Sequence, residues 1–182
     1  MNGVIATAKR QWTDLPLGDA FVKGYEYCFS RLPESCVIVE LGSLLGKTTC
    51  ALAATLASQP NRHVNLNTVE DWKRYDLEAG NDLESLCWRV ADLPRVFQEH
   101  IRECGAEPYL SLWEADIIEA ASYFDDGEVD FLAVNYHSWT IERQKVADVW
   151  EPKLKAGGMA LLQNYPNRGD FGQYSLSVKK IP

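Results

Sequence analysis

The chain has 182 residues, of which 46% are hydrophobic and 24% charged, a composition typical of one globular domain with a substantial core. Its formal net charge of -8 argues against a general nucleic-acid binder, because such proteins need a basic surface to displace phosphate counterions. No apolar run approaches the roughly 20 residues of a membrane span, and the N-terminal residues lack the apolar core of a signal peptide. The five cysteines are scattered without a Cys-x-x-Cys pair, which indicates reduced thiols and predicts a cytoplasmic protein.

Hydrophobic spacing predicts strands that alternate with helices along the chain. In chain order we expect a helix over 17–32, a strand over 37–41, a helix over 48–58, a strand over 64–69, a helical stretch over 82–104 broken near Pro94, a strand over 109–113, a short helix over 117–124, a strand over 129–134, a helix over 140–150, a glycine turn at 157–158, a strand over 159–162 and a last strand over 174–178. Such alternation implies parallel strands joined by crossover helices. We therefore predict a single α/β domain over 1–182: a Rossmann-like, doubly wound, mostly parallel sheet with helices on both faces, in three layers (α/β/α).

The segment over 37–50 is the most informative part of the sequence. It reads as a buried strand, the acidic residue Glu40, a glycine turn from Gly42 to Gly46 and a helix start, which is how α/β proteins build a pocket for a nucleoside cofactor. A phosphate-binding loop needs one more residue before its Gly-Lys-Thr, and the dinucleotide fingerprint needs glycine where this chain has Leu44. The spacing Glu-x-Gly-x-x-x-Gly instead resembles the first motif of class I S-adenosylmethionine (SAM) dependent methyltransferases. A tight turn without a ligand is an equally open interpretation.

Further motifs follow in the order and at the spacing of one branch of that family, which contains the catechol O-methyltransferases and the small bacterial family 24 methyltransferases. The matching segments are Val69-Glu-Asp-Trp72, Phe97-Gln-Glu-His-Ile-Arg-Glu-Cys-Gly105, Glu114-Ala-Asp116, Val129-Asp-Phe-Leu-Ala-Val-Asn-Tyr-His-Ser-Trp139 and Trp150-Glu-Pro-Lys-Leu-Lys-Ala-Gly-Gly158. The resemblance covers roughly residues 35–165. It implies the methyltransferase fold and the transfer of a methyl group from SAM.

The resemblance also implies roles for individual side chains in holding SAM. The residues concerned are Glu40, Gly42, Ser43 and Gly46 on the methionine and ribose side, Glu70 at the ribose hydroxyls, Trp72 near the adenine and Asp116 by its amino group. Each has a structural alternative. Glu70 can belong to a solvated turn and Trp72 to the core, while Asp116 can cap the following helix and bind a ligand as well.

The metal-dependent members of the branch use two aspartates and an asparagine at the ends of strands four and five. This chain has Asn135, Gln163 and Asn164 there, and sites made only of neutral oxygens bind magnesium poorly. We therefore expect no tight metal site, and expect these three side chains to face the methyl acceptor. The expected catalytic residues are Asn135 and His137, which lies in the same loop and would take a proton from the acceptor unless it only bonds the backbone.

The predicted function is thus metal-independent methyl transfer from SAM to a small molecule, with no nucleic-acid or membrane partner. The alternative is a degenerate methyltransferase-fold protein that acts as a ligand-binding or assembly module. A weaker third interpretation is a phosphate binder that uses Lys47. Only one strand is expected after 165, so the fold is shortened at its C-terminus and leaves a sheet edge that would allow a homodimer.

Overall fold

The computed structural model describes residues 19–57, 62–73, 92–135, 141–164 and 175–180. The helices are α1 (Asp19–Phe29), α2 (Lys47–Ala57), α3 (Leu93–Glu103) and α4 (Ile141–Trp150). The strands are β1 (Ser35–Leu41), β2 (His63–Glu70), β3 (Leu110–Glu114), β4 (Val129–Val134), β5 (Leu154–Asn164) and β6 (Ser175–Lys180). Short 3-10 turns span Glu107–Tyr109, Glu119–Tyr123 and Glu151–Lys153.

The six strands form one sheet in the order β3-β2-β1-β4-β5-β6. The first five run parallel, and β6 pairs antiparallel with β5. This arrangement confirms the predicted Rossmann-like, mostly parallel sheet. Chain order reverses between β1 and β4, and ligands of open α/β sheets bind outside the carboxyl ends of the strands at such a point.

Helices cover both faces of the sheet, because the strands are apolar on both sides. On one face, Phe29 of α1 and Leu52 of α2 pack on the sheet residues Ile38 and Phe131. On the other face, Trp150 of α4 and the turn at Glu119–Tyr123 pack in a second cluster. A third cluster joins α2 to α3. The three layers predicted from the alternation of elements are therefore present.

The glycine pair at 157–158 lies inside β5, so the predicted turn at this place is wrong. The pairing of β4 with β5 is irregular between Val129 and Phe131, and Gly157 has a φ of 81°. A Cβ on Gly158 would stand 2.8 Å from the Lys155 carbonyl oxygen. Glycine here permits a bulge and a close backbone approach within a continuous strand.

The predicted helical stretch over 82–104 is described only from residue 92. Asp92 caps α3 by accepting a hydrogen bond from the N–H of Arg95 at 3.1 Å, and Pro94 occupies the first turn. Gly105, at φ 72°, follows the end of the helix as expected. The interruption predicted near Pro94 is thus the start of α3. Among the described residues, no helix combines the length and the apolarity needed to cross a membrane.

Candidate functional site

The candidate site lies at the carboxyl ends of β1, β2 and β4, where the sheet order reverses. Glu40 comes just before the end of β1, Glu70 ends β2, and Asn135 follows β4. The backbone extends β1–β4 pairing at this edge, because the N–H of Asn135 donates to the carbonyl of Leu41 at 2.8 Å. Three polar side chains from distant parts of the sequence therefore meet at one edge.

Glu40 is completely buried, and its carboxylate is surrounded by hydrogen-bond donors. Five side chains donate to it: Tyr25, Thr48, Thr49, Thr68 and Asn135. The Asn135 amide lies 2.8 Å from Oε1, and the Thr68 hydroxyl lies 2.8 Å from Oε2. A buried carboxylate is tolerated only with such partners. Glu40 therefore joins α1, the start of α2, β2 and the end of β4 into one polar network.

Tyr25 brings α1 into this network. Its hydroxyl donates to Glu40 Oε1 at 3.1 Å and accepts a hydrogen bond from the Asn135 amide at 3.1 Å. Burial, followed by the negative charge of Glu40, raises the pKa of Tyr25 well above its ordinary value of 10.0. Tyr25 therefore stays protonated and acts as a donor at any physiological pH.

The glycine turn between β1 and α2 is held by the end of β2. The carboxylate of Glu70, which is 3% exposed, accepts hydrogen bonds from the N–H of Leu44 and, at 3.4 Å, from the Ser43 hydroxyl. Gly42 and Gly46 have φ angles of 81° and 86°, and Leu44 itself has a φ of 52°. A left-handed leucine is strained, and the Glu70 contact helps to hold it there.

Trp72 and α3 support the turn from the outside. The Trp72 ring is 7% exposed, packs on Phe97 with 5.4 Å between centroids, and donates from Nε1 to the Leu44 carbonyl at 2.9 Å. His100 Nδ1 lies 2.7 Å from the Leu45 carbonyl oxygen. A Cβ on Gly46 would meet the Phe97 ring at 3.1 Å. Trp72 thus has the contacts of a core residue, which was the alternative considered from the sequence.

Asp116 caps the turn after β3. Its Oδ1 accepts hydrogen bonds from the N–H groups of Ile118 at 2.8 Å and Glu119 at 3.2 Å. This is the N-cap role considered beside ligand binding. The side chain is half-buried, and the cap fixes its position at the same edge of the sheet as Glu70.

Asn135 uses its amide within the protein. Besides Glu40 and Tyr25, the amide nitrogen lies 3.2 Å from the Thr48 hydroxyl oxygen. The amide oxygen of Asn135 lies 3.5 Å from the Tyr25 hydroxyl, so both ends of the amide contact this network. Nowhere in the described ranges do three or more His, Cys, Asp or Glu side chains gather as a metal site would require. The expected absence of a tight metal site stays a prediction.

Three of the predicted site residues cannot be placed by their side chains. His137 lies outside the described residues. Gln163 and Asn164 end β5, where they pair with Leu176 and Ser175 of β6, and only their backbone is described. The expected catalytic and acceptor-binding roles of these residues stay predictions.

Sequence reasoning missed several residues that shape the site. It gave Tyr25 no role beyond membership of the helix expected over 17–32, and it did not connect the hydroxyls of Thr48, Thr49 and Thr68 with Glu40. It also gave no role to His100. A run of hydroxyl residues around a buried strand carboxylate was the available signal, but the partners on α1 and β2 cannot be inferred from spacing along one strand.

Residues 39–165 match the sequence model of a family described as Methyltransferase domain. Similar solved structures include an RNA methyltransferase from Salinibacter ruber in complex with S-adenosyl-L-homocysteine (17% identity, 92% of this chain and 94% of that chain, TM-score 0.60). Others are a candidate caffeoyl-CoA O-methyltransferase from Staphylococcus aureus (13%, 82% and 59%, TM-score 0.56) and a candidate S-adenosyl-L-methionine-dependent methyltransferase from Methanococcus maripaludis (12%, 78% and 53%, TM-score 0.54). This chain spans between half and two thirds of the length of the last two, and likeness at such identity shows a common fold. No curated protein sequence matches the chain.

Proposed function

This chain belongs to the Methyltransferase domain family, and from that premise we propose that it transfers a methyl group from SAM to a small-molecule acceptor without a bound metal ion. One observation carries the proposal. Glu70 is a buried carboxylate at the end of β2 that bonds the backbone of the glycine turn following β1. In open α/β folds, an acidic residue at this place accepts hydrogen bonds from the ribose hydroxyls of a nucleoside cofactor.

The residues at the sheet edge fit a cofactor that carries a nucleoside. A carboxylate oxygen can accept more than one hydrogen bond, so Glu70 can hold Leu44 and accept from ribose hydroxyls as well. Gly42 and Gly46 permit the positive φ angles on which the tight turn depends. The proposed SAM-holding set is Glu40, Gly42, Ser43, Gly46, Glu70, Trp72 and Asp116. Within it, Glu40 and Trp72 act by shaping the pocket, since their polar atoms bond protein groups.

SAM, when bound, supplies an electrophilic methyl group on a positively charged sulfonium. The protein's share of the chemistry is to exclude water and to align the acceptor, and positioning alone can supply much of a methyl-transfer rate. We assign the acceptor side to Asn135, His137, Gln163 and Asn164, with His137 taking the acceptor's proton.

Metal independence is proposed from the chemistry at residue 135. Magnesium sites usually contain one or two carboxylates, and this position carries a neutral amide that donates to Glu40. No step of the proposed reaction therefore passes through a metal ion. The carboxylate of Glu40, which the Asn135 amide contacts, is engaged by its five donors.

A small acceptor is favoured over a nucleic acid by charge. The net charge of -8 opposes the approach of a polyanion, whose binding depends on basic side chains. Because an RNA methyltransferase is among the similar structures, a screen of methyl acceptors should include RNA beside small molecules.

Calorimetric titration with SAM and S-adenosylhomocysteine tests the proposal. We expect saturable binding at micromolar concentration. Glu70→Gln should weaken it by tenfold or more, equal to about 1.4 kcal/mol, because the amide is a poorer acceptor for two hydroxyls. Glu114→Gln is the matched control, since Glu114 pairs with Glu70 across β2 and β3 but is exposed. Equal affinity in wild type and Glu70→Gln would remove Glu70 from the site.

A second candidate is a ligand-binding or assembly module without catalysis. It is favoured by Leu44, which fills the central position of the glycine turn, and by the neutral residue at 135. Failure of the folded protein to bind either SAM or S-adenosylhomocysteine would support it.

We also propose a cytoplasmic homodimer that pairs through a sheet edge. Support comes from β6, which is the last strand of the described sheet, and from the free thiols of the described cysteines. Light scattering during size-exclusion chromatography tests the dimer, and a monomer at all concentrations would contradict it.

A further inference from the structure

One face of α3 is buried against the glycine turn between β1 and α2. The buried residues of this helix are Phe97, His100 and Ile101, and their spacing of three and four residues places them on one side of the helix. A Cβ on Gly46 would meet Phe97 at 3.1 Å and Ile101 at 3.5 Å. Two apolar side chains therefore pack against the last glycine of the turn. The histidine beside them is a polar group in the same buried face, where such groups form hydrogen bonds.

The contact of His100 with the turn is short and shielded from solvent. Its Nδ1 atom lies 2.7 Å from the carbonyl oxygen of Leu45. His100 is 6% exposed and Leu45 is 4% exposed. A carbonyl oxygen only accepts hydrogen bonds, so Nδ1 carries a proton and donates it to this oxygen. Loss of the imidazole would leave a buried acceptor without that donor, which is costly because water has little access to it.

The backbone of α3 fixes the place of this imidazole. The carbonyl oxygen of His100 accepts the N–H of Cys104 at 2.9 Å, and Cys50 Sγ of α2 lies 3.5 Å from the same oxygen. His100 thus contacts α2 through its main chain and the glycine turn through its side chain.

The turn needs support because its backbone is strained. Leu44 has a φ of 52°, in a region that is unfavourable for a leucine. Glu70 and Trp72 bond the peptide groups on the two sides of Leu44. His100 bonds the next carbonyl along the chain, that of Leu45. Without the His100 contact, the turn can relax toward other backbone conformations.

We propose that His100 is a positioning residue that keeps the glycine turn in the conformation that binds the cofactor. This inference rests on the proposed function, since it takes the turn to contact SAM. His100 acts through the Leu45 carbonyl and not by contact with the ligand. When only a fraction of the folded molecules has the competent turn, the apparent dissociation constant rises in inverse proportion to that fraction. A variant without the donor should therefore bind the cofactor weakly even when it is fully folded.

Calorimetric titration of the full chain with S-adenosylhomocysteine, well below the melting temperature of each protein, tests the proposal. His100→Phe keeps a ring and removes the donor, so its dissociation constant should rise about tenfold or more. His100→Asn should bind within about threefold of the wild type, because its amide Nδ2 can donate from nearly the place of the imidazole Nδ1. His63→Phe is the matched control, since His63 is an exposed residue at the start of β2, and it should bind as the wild type does.

Nuclear magnetic resonance reports the donor itself. Nitrogen-15 correlation spectra of the ligand-free wild type should show an imidazole Nδ1–H that is retained in His63→Phe and absent from His100→Phe. If His100→Phe does not fold, His100→Gln takes its place in the titration. The glutamine amide lies one bond beyond the Nδ1 position, so this variant should also bind weakly.

The outcomes separate this inference from the proposed function. A folded His100→Phe that melts earlier but binds as tightly as the wild type would show that His100 only stabilises the fold, and would overturn the inference while leaving methyl transfer in place. A His100 ring without a proton on Nδ1, or an Asn variant that does not recover binding, would overturn it as well. A wild type that binds no S-adenosylhomocysteine would overturn the proposed function and this inference with it.

Discussion

Replacing Asn135 by aspartate would put a second carboxylate against the buried charge of Glu40. The Asn135 amide nitrogen is 2.8 Å from Glu40 Oε1, so Asn135→Asp turns an attractive contact into a repulsive one. If the side chains relax to a separation of about 4 Å at an effective dielectric constant of about 20, the repulsion is about 4 kcal/mol. Stabilities of whole domains are about 5–15 kcal/mol, so the effect is large.

The loss of stability caused by Asn135→Asp should depend on pH in a defined direction. A repulsion of about 4 kcal/mol corresponds to a rise of about 3 units, which takes the folded-state pKa of the new aspartate from about 3.9 to about 7. The folded variant then holds a proton that the unfolded chain has released. Its stability relative to wild type should therefore be nearly unchanged below about pH 4 and fall between about pH 4 and pH 7. Above that range the difference should stay constant.

Urea titrations of wild type and variant at a series of pH values measure this difference. Asn65→Asp, at an exposed position of β2, adds the same charge in solvent and should change stability by less than about 0.5 kcal/mol. Asn135→Ala removes the amide without adding charge, so its loss should not vary over the same pH range. A variant Asn135→Asp that loses under about 1 kcal/mol, with no pH dependence, would show that Glu40 does not face residue 135 as a charge.

Three further outcomes follow from the same geometry. Tyr25→Phe should lower the free energy of unfolding by about 2 kcal/mol, because a donor to a charged group is lost. The control Tyr27→Phe should leave the free energy of unfolding unchanged, since Tyr27 is 51% exposed. Equal effects of the two substitutions would contradict the role of the buried Tyr25 hydroxyl. Gly46→Ala should lower the melting temperature more than Gly127→Ala does. Both glycines have positive φ angles, but only at Gly46 would the new Cβ contact the Phe97 ring at 3.1 Å. The reverse order of melting temperatures would contradict the contact between Gly46 and Phe97. Added magnesium should leave the melting temperature of the wild type unchanged, and a saturable rise would show that a metal site exists.

The sequence predicted the elements best where apolar runs are continuous. β4 was predicted over its observed range, and β1 starts two residues earlier than expected, at Ser35. Gly157 and Gly158 were interpreted as a turn because glycine pairs are common in turns, whereas here they form a bulge within β5. Spacing along one segment could not reveal this, since the partner backbone belongs to β4.

The sequence predicted which strand ends form the candidate site, but it did not predict the hydrogen bonds between its side chains. Glu40, Glu70 and Asn135 were found because each lies at or just past the end of a predicted strand, and strand ends of a parallel sheet meet at one edge. Their hydrogen-bond partners were not found. Tyr25 lies 110 residues from Asn135 in the chain, and no pattern along a helix or strand links such positions. Polar contacts depend on side-chain direction after packing, which periodicity does not determine.

The peptide groups of Leu44 are held on both sides, by Glu70 at the N–H and by Trp72 at the carbonyl. The glycine turn therefore has its shape before any ligand arrives, and ordering it adds no entropic penalty to binding. The Leu44 amide should exchange its hydrogen slowly in the ligand-free protein, in contrast to the fast exchange usual for loop amides. Folding, and not ligand binding, sets the geometry of this edge of the sheet.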